Sequence, residues 1–367
     1  MPESRLSGQK PAVIVVGAGV SGLSTAQALL GRGHAVRLLE RGAVGGESSW
    51  AGGGILSPLL PWDYPEAVSA LALRSMAAYA EWVTEIEAQS GCDAEYWRCG
   101  MRVMDAAAPD AALVWCAAHG LAAQRQSMDG IERLWLPDIA QVRNPRLVAA
   151  LRAAVVKLGG VIHEHCPATG VLSQGGRVTA VQTDADTFHA DSVVLAAGAW
   201  SGLGLAGLAA APQIRPIRGQ MLLFKLEPGV LDTILYRNGL YLIPRRDGHI
   251  LVGSTLEDAG FDKSTDAATR QRLHAAAAEL LPALAGLQPV QHWAGLRPGS
   301  PDNTPIIDRH SDYNNVFVNT GHYRYGVTLA PASAELLVDM MEGRAPALDP
   351  APYRWQAALD RCWTTAL

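Results

Sequence analysis

Three glycines near the start of the chain could bind the phosphates of a dinucleotide. Gly17, Gly19 and Gly22 form the pattern GxGxxG, and Glu40 follows eighteen residues after the last of them. In this pattern the first glycine allows a tight turn, the second lets the backbone approach a pyrophosphate, and the third lets a helix pack closely on a strand. A carboxylate at Glu40 would accept hydrogen bonds from ribose hydroxyls and repel the 2′-phosphate of NADP. The expected ligand is therefore NAD or FAD.

These residues need a strand, a helix and a second strand to position them. The apolar run PAVIVV (11–16) predicts a strand buried in a parallel sheet. LSTAQALLGRG (23–33) predicts a helix that ends at Gly31 or Gly33, and AVRLLE (35–40) predicts the second strand. The start of the helix would present free N–H groups and the positive end of its dipole to phosphate. The glycine pattern thus has the context that dinucleotide binding requires.

Two further glycine-ended strands favour FAD over NAD. SVVLAA precedes Gly198, and VFV precedes Gly321 and Gly326, which a predicted long helix follows from about Pro331 to Met341. A helix N-terminus near Gly326 could stabilise negative charge on a reduced flavin. An NAD dehydrogenase has no obvious use for such elements.

Composition excludes several other classes. The chain has 367 residues, a net charge of -5 and no basic cluster, which argues against nucleic-acid binding. We expect no membrane span and, because residues 1–10 are polar, no signal peptide. The number of cysteines, five, is odd and their spacing fits neither a metal site nor a disulfide framework. We therefore expect a cytoplasmic protein without a bound metal.

Segments spread from residue 13 to residue 332 carry a family resemblance. The sequence resembles the D-amino-acid-oxidase-type flavoproteins and, within them, the glycine oxidases of the thiamine pathway. The matching segments are VVGAGVSGLSTAQALL, LLERG, GGESSWAGGGILSP, RPIRGQ, LYLIPRRDGHILVGSTLED, WAGLRPGSPDNTPIID and GHYRYGVTLAPA. The resemblance implies an α/β fold: a Rossmann-like FAD-binding domain of the glutathione-reductase type with an inserted α+β substrate domain on a mixed or antiparallel sheet.

The order of predicted elements divides both domains into pieces. We assign residues 11–75, 146–205 and 295–367 to the FAD-binding domain, and residues 76–145 and 206–294 to the substrate domain. Residues 62–145 are expected to be mostly helical, including a helix that ends at Gly91.

The resemblance also implies a substrate site. Arg297 would bind a substrate carboxylate through two parallel N–H···O bonds, Arg324 would line the same site, and Tyr241 would donate a further hydrogen bond. Leu256 would form an apolar ceiling that favours small substrates. No acid or base residue is expected, because hydride transfer from a neutral amine requires orientation more than proton transfer.

The remaining expected contacts are to noncovalent FAD. Ser48 and Ser49 would hydrogen-bond phosphate or ribitol, Gly52, Gly53 and Gly54 would let the backbone pass beside the flavin, and His322 would contact it through its backbone. The full set of expected cofactor-binding residues is Gly17, Gly19, Val20, Ser21, Gly22, Glu40, Arg41, Ser48, Ser49, Gly53, Gly54, Ile55, Ala168, Gly198, His322, Tyr323, Arg324, Tyr325, Gly326, Val327 and Thr328. Trp50 could pack over the cofactor or only cover the loop, and we favour the second. Residues 293–326 contain no cysteine to bond flavin, and Cys362 lies too near the C-terminus.

Three functions are compatible with these residues. The first is oxidation of glycine by O₂ to an imine, then to glyoxylate, ammonia and H₂O₂, with thiazole synthase as a candidate partner and a tetramer implied by resemblance. The second is an amine oxidase or dehydrogenase acting on sarcosine, D-amino acids or N-substituted glycines. The third is a flavin-binding subunit without a small amine substrate, against which the pair Arg297 and Tyr241 argues.

Overall fold

A computed structural model describes residues 12–128 and 130–363. Two expectations fall partly outside this range: the strand that was expected to start at Pro11, and the end of the FAD-binding piece 295–367, at residues 364–367. The polar residues 1–10 also lie outside it. The strands are β1 Ala12–Val16, β2 Ala35–Leu39, β3 Met101–Val103, β4 Gln124–Met128, β5 Ile131–Leu136, β6 Val161–His163, β7 Ala168–Gln174, β8 Arg177–Thr183, β9 Thr187–His189, β10 Ser192–Leu195, β11 Arg215–Lys225, β12 Ile234–Arg237, β13 Leu240–Pro244, β14 His249–Gly253, β15 Gln291–Gly299, β16 Ile306–Arg309 and β17 Val316–Thr320. The α-helices are α1 Val20–Gly31, α2 Ser48–Ala51, α3 Glu66–Ser90, α4 Pro109–Ala118, α5 Asn144–Lys157, α6 Ala267–Leu280, α7 Gly326–Met341 and α8 Trp355–Asp360.

The first sheet carries the glycine pattern. Its strand order is β16-β17-β10-β1-β2-β6, and all its pairs are parallel except β16 with β17. Val13 and Val15 of β1 pack on one face against α1, α3, α5 and α7, and Ile14 and Val16 pack on the other against the small sheet β7-β8-β9. Because both faces are covered, β1 is a nearly continuous apolar run, as the sequence predicted.

The second sheet is larger and mostly antiparallel. Its order is β15-β11-β14-β13-β12-β3-β5-β4, with one parallel pair between β12 and β3. Side chains alternate between its faces: Met221 joins a core with Tyr241 on one face, and Leu222 joins a core with Leu273 of α6 on the other. The face with Tyr241 also forms the wall of the site described below.

The segment 62–145 departs from its expected helical character. Its helix α3 does end at Gly91, which has the left-handed conformation (φ 74°) of a helix terminator. Beyond it, however, β3, β4 and β5 extend the second sheet. The polar strand QRQSM lies at the edge of that sheet, where burial imposes little apolar pattern. The expectation of a mostly helical segment was therefore wrong for its second half.

Some of the expected domain boundaries fall inside helices or strands of the structure. The boundaries at 75/76 and 145/146 lie inside the helices α3 and α5, and the boundary at 294/295 lies inside β15. The division into discontinuous domains remains a prediction.

The last long helix begins five residues before its expected start. α7 starts at Gly326 and contains Pro331 in its interior, where proline removes one backbone hydrogen bond. Helix α3 compensates for this loss: the Tyr79 hydroxyl donates to the Val327 carbonyl at 3.0 Å, and Ser75 Oγ accepts from the Ala332 N–H at 3.2 Å. The carbonyl that the proline leaves free is thus satisfied by a buried phenol.

Candidate active site

One cavity of about 810 Å³ extends from the glycine pattern to the second sheet. Every residue expected to bind cofactor or substrate lines this cavity, with the exception of Gly22. Its size is that of an ordinary ligand or cofactor site. Residues more than 300 positions apart in the sequence therefore meet around one space.

The glycine pattern is required by contacts within the protein. Gly17 has φ +102°, and a Cβ there would lie 2.4 Å from the Ala196 carbonyl oxygen. A Cβ on Gly22 would lie 2.0 Å from the Gly17 carbonyl oxygen, so this glycine lets α1 approach β1 and need not face the cavity. Both positions have the roles that the sequence pattern assigns to its first and third glycines.

Polar groups at this end suit a dinucleotide. Glu40 is 9% exposed, and its two carboxylate oxygens accept from the backbone N–H groups of Ala18 (2.8 Å) and Gly42 (2.9 Å). Each oxygen keeps a lone pair that could accept from a ribose hydroxyl. Ser49 Oγ accepts the Val20 N–H at the start of α1 at 2.9 Å. The Ser49 hydroxyl therefore braces the helix N-terminus that would face a pyrophosphate.

The glycine-rich loop also packs closely on the protein around it. A Cβ on Gly54, which has φ +77°, would lie 2.1 Å from the Val142 carbonyl oxygen, and one on Gly53 would lie 2.7 Å from Ile243 Cδ1. Gly52 would likewise meet Asn144 Nδ2 at 2.8 Å. The backbone of Val142 thus requires glycine at position 54, whereas a side chain at 52 or 53 would first have to displace a neighbouring side chain. The expected contact of this loop with a flavin remains a prediction.

Two side chains fix this loop from outside. The buried Arg245 donates to the Gly53 carbonyl at 2.8 Å and to the Val142 carbonyl at 2.9 Å, and burial lowers its pKa to about 10. Asn144 donates to the Ser49 carbonyl at 3.0 Å. The loop is therefore held in place beside the cavity. Trp50 lies outside the cavity lining and is 40% exposed, with its ring edge-on to Trp293 at 5.5 Å.

His322 links the start of α1 to the middle of α7. Its Nδ1 lies 3.4 Å from Ser21 Oγ at the start of α1, and its Nε2 lies 3.0 Å from Ser333 Oγ in α7. Burial lowers its pKa to about 4, so the imidazole is neutral at physiological pH. With both nitrogens engaged, this histidine is suited to holding the helices together rather than to moving protons.

Arg297 reaches the cavity from β15. Its Nη1 donates to the Thr255 carbonyl at 3.1 Å, and its Nη2 donates to Ser254 Oγ at 2.6 Å. On the paired strand β11, a Cβ at Gly219 would lie only 2.1 Å from Arg297 Nη1. The absence of a side chain at Gly219 therefore leaves the room that the guanidinium occupies.

Arg324 lies among phenols that line the same cavity. Its guanidinium is 5.3 Å from the ring of Tyr323, while the Tyr325 hydroxyl donates to the Tyr64 hydroxyl nearby. Burial disfavours the charge of Arg324, but the surrounding tyrosines outweigh this and its pKa remains above the ordinary value. Within residues 12–128 and 130–363, neither Arg324 nor Arg297 forms an ion pair with a carboxylate, although both face the cavity. Two positive charges thus remain available to an anionic ligand.

The other predicted residues line the cavity in less specific ways. Tyr241 lies on β13 with its hydroxyl 3.5 Å from Met221 Sδ, and Leu256 follows β14. Arg41 is exposed and lies over the Trp200 ring at 3.3 Å. Among the described residues, no cysteine lines the cavity, no group of three or more metal-ligating side chains occurs, and no helix is long and apolar enough to cross a membrane.

Sequence reasoning missed several residues that shape the site. Tyr64 and Tyr236 line the cavity beside Arg324, and Arg245 and Asn144 support its loop. No local pattern distinguishes these residues from core tyrosines or surface polar residues. Gly219 lies inside the matched segment RPIRGQ, which forms part of β11, and a glycine within a strand is a signal for the close approach of another group.

The fold and the site together define an FAD-dependent oxidoreductase. Glu40 is buried after β2, and Ser49 supports the N-terminus of α1. The cavity extends from there to the second sheet, which fits a dinucleotide whose reactive end meets a substrate. The chain belongs to the DAO family of FAD-dependent oxidoreductases, whose profile matches residues 12–340. The resemblance seen in the sequence, the FAD cofactor and the fold class are thereby confirmed.

Known relatives cover nearly the whole chain. A glycine oxidase from Pseudomonas aeruginosa is 45% identical over 354 residues, covering 93% of this chain and 97% of that protein. The bifunctional protein ThiO/ThiG from Trichormus variabilis is 32% identical over 348 residues, which are 90% of this chain and 52% of that protein. The crystal structure of glycine oxidase from Geobacillus kaustophilus superposes with a TM-score of 0.86 at 26% identity, covering 94% of this chain and 99% of that one.

Proposed function

We propose that this protein oxidises glycine with O₂ to glyoxylate, ammonia and H₂O₂. The observation that carries the proposal is the pair of cavity-facing guanidinium groups, Arg297 and Arg324, which have no carboxylate partner within the described part of the chain. They suit a small anionic substrate, and the glycine oxidase named above is 45% identical.

In this proposal Arg297 binds the substrate carboxylate. Its contacts with Thr255 and Ser254 fix the plane of the guanidinium and leave three N–H groups for the substrate, and the residue lines the cavity. Tyr241 and Arg324 complete the anion site, and Leu256 limits the space above the α-carbon. Tyr64 adds a donor, because its oxygen accepts from Tyr325 and its own proton remains available.

Glu40, Ser49 and the start of α1 would hold FAD, which would supply an acceptor for the hydride of the α-carbon and a route for the two electrons to O₂. The chain contributes orientation and exclusion of water, and no acid or base residue is assigned. The balanced reaction is glycine plus O₂ plus water giving glyoxylate, ammonia and H₂O₂. The described cysteines lie away from the cavity lining, which supports noncovalent FAD.

A further part of the proposal concerns the fate of the imine. A relative of this chain forms one half of the bifunctional protein ThiO/ThiG, so the imine could pass to a partner enzyme such as a thiazole synthase in thiamine biosynthesis. The proposal also includes a cytoplasmic location for this step and the tetrameric assembly that the resemblance implies.

Product analysis of the FAD-loaded protein tests the function. With glycine under air, we expect glyoxylate and H₂O₂ to form in equal amounts as O₂ is consumed. Sarcosine, D-alanine and D-proline are assayed in parallel as alternative substrates. Separately, acid precipitation should release the FAD into the supernatant if it is bound noncovalently. Glyoxylate formation only in the presence of an artificial electron acceptor would identify a dehydrogenase instead.

A further inference from the structure

A second cavity, of about 400 Å³, adjoins the substrate end of the first; we call it the side cavity. Tyr236 and Asn238 belong to the walls of both cavities. On the second sheet Tyr236 is the direct partner of Tyr241 on one side and of Val103 on the other. The side cavity therefore continues along the same sheet face, beyond the strand that carries Tyr241.

The walls of the side cavity suit a flat apolar group. Trp62 and Trp115 contribute indole rings, and Val103 and Leu134 contribute aliphatic side chains from β3 and β5. Ala111 of α4 also lines the side cavity, and its single methyl group takes up little of the space. Aromatic rings and small residues around a narrow space are typical of sites for planar substituents.

The charge of the side cavity is negative. Asp63 and Asp105 both line it, and within the part of the chain that the structure describes no lysine or arginine does. Asp105 accepts a hydrogen bond from Asn238 at 3.0 Å, and burial raises the pKa of Asp63 above its ordinary value. Carboxylates at this position disfavour an anionic group and attract a cationic one.

We propose that the side cavity binds the nitrogen substituent of an N-substituted glycine, with a flat apolar body and a neutral or cationic end. The inference rests on the proposed function, since it requires the substrate carboxylate to lie at Arg297. The substituent of a secondary amine would then extend past Tyr236 into the side cavity. The reaction is R–NH–CH₂–COO⁻ plus O₂ plus water giving R–NH₂, glyoxylate and H₂O₂, so the substituent leaves as a primary amine.

Two isosteric substrates test the charge preference. We compare N-(4-aminomethylbenzyl)glycine with N-(4-carboxybenzyl)glycine, using N-benzylglycine and glycine as references, and measure kcat/KM from glyoxylate and the released amine. We expect the cationic compound to exceed the anionic one by at least about tenfold, which corresponds to about 1.4 kcal/mol. The double variant Asp63→Asn with Asp105→Asn should reduce this ratio toward one.

A steric variant tests the location. Ala111→Phe should lower kcat/KM for N-benzylglycine at least about tenfold and leave that for glycine unchanged. Val114→Phe is the matched control, because Val114 lies on the same helix, is 71% exposed and does not line the side cavity. Unchanged melting temperature and FAD content verify that both variants fold.

The outcomes separate the two proposals. Oxidation of glycine without oxidation of N-benzylglycine, or equal effects of Ala111→Phe on both substrates, overturns the side-cavity assignment and leaves the proposed function intact. If the FAD-loaded protein oxidises neither compound, the proposed function fails, and binding of N-benzylglycine is measured from the change in the visible flavin spectrum. Equal Kd values for the wild type and Ala111→Phe then overturn the assignment as well.

Discussion

Replacing Arg297 by alanine should abolish most substrate binding while leaving the flavin in place. A guanidinium has five N–H groups, and the contacts with Thr255 and Ser254 use two of them. The remaining three are enough for two parallel bonds to a carboxylate. Each charge-assisted hydrogen bond contributes about 1.5–3 kcal/mol, so losing the pair costs about 3 kcal/mol or more. That corresponds to a fall of at least about 100-fold in kcat/KM.

The assay combines steady-state oxidation of glycine with binding of acetate, an unreactive carboxylate, followed through the visible flavin spectrum. Arg297→Ala should raise the Kd for acetate by about the same factor as it lowers kcat/KM. Arg297→Lys should give intermediate values of both, because lysine keeps the positive charge but lacks the two parallel N–H groups of the guanidinium. Arg309→Ala is the control, since Arg309 is exposed on β16 and does not line the cavity. If Arg297→Ala retains kcat/KM within about threefold at equal FAD content, Arg297 does not bind the carboxylate.

Three further predictions follow from contacts around the site. Gly219→Ala should raise the KM for glycine at unchanged FAD content, because the new Cβ would displace the Arg297 guanidinium; an unchanged KM would show that the guanidinium can move without loss. Tyr79→Phe should lower the free energy of unfolding by about 1–3 kcal/mol in denaturant titrations, because it leaves the Val327 carbonyl without the buried Tyr79 hydroxyl. An effect below about 0.5 kcal/mol would contradict this role. The unfolded chain protonates His322 below about pH 6.5 and the folded chain only below about pH 4, so the free energy of unfolding should fall as the pH drops through this window, by about 3 kcal/mol at most. His322→Gln should flatten that part of the pH profile, and an identical slope in the variant would assign the effect to other groups.

The parts of the molecule predicted well from sequence are those whose cause is local. The turn at Gly17 needs a positive φ, which a glycine at that position indicates directly, and the helix predicted over 23–33 is found at Val20–Gly31. The end of α3 at Gly91 is equally local, because one left-handed residue terminates the helix.

The parts predicted less well depend on contacts between distant segments. Pro331 lies inside α7 because Tyr79, more than 250 residues earlier, supplies a hydrogen bond to the freed carbonyl. Gly54 is required by the backbone of Val142, and Gly219 by the side chain of Arg297. None of these partners can be identified from the sequence around each glycine or proline.

The most direct test of the central claim is anaerobic mixing of the purified, FAD-loaded protein with glycine. The account predicts that the visible flavin absorbance bleaches on mixing, and that it returns when air is admitted, with one H₂O₂ formed for each flavin reoxidised. A flavin that stays oxidised with saturating glycine would contradict the assignment of this cavity to glycine oxidation.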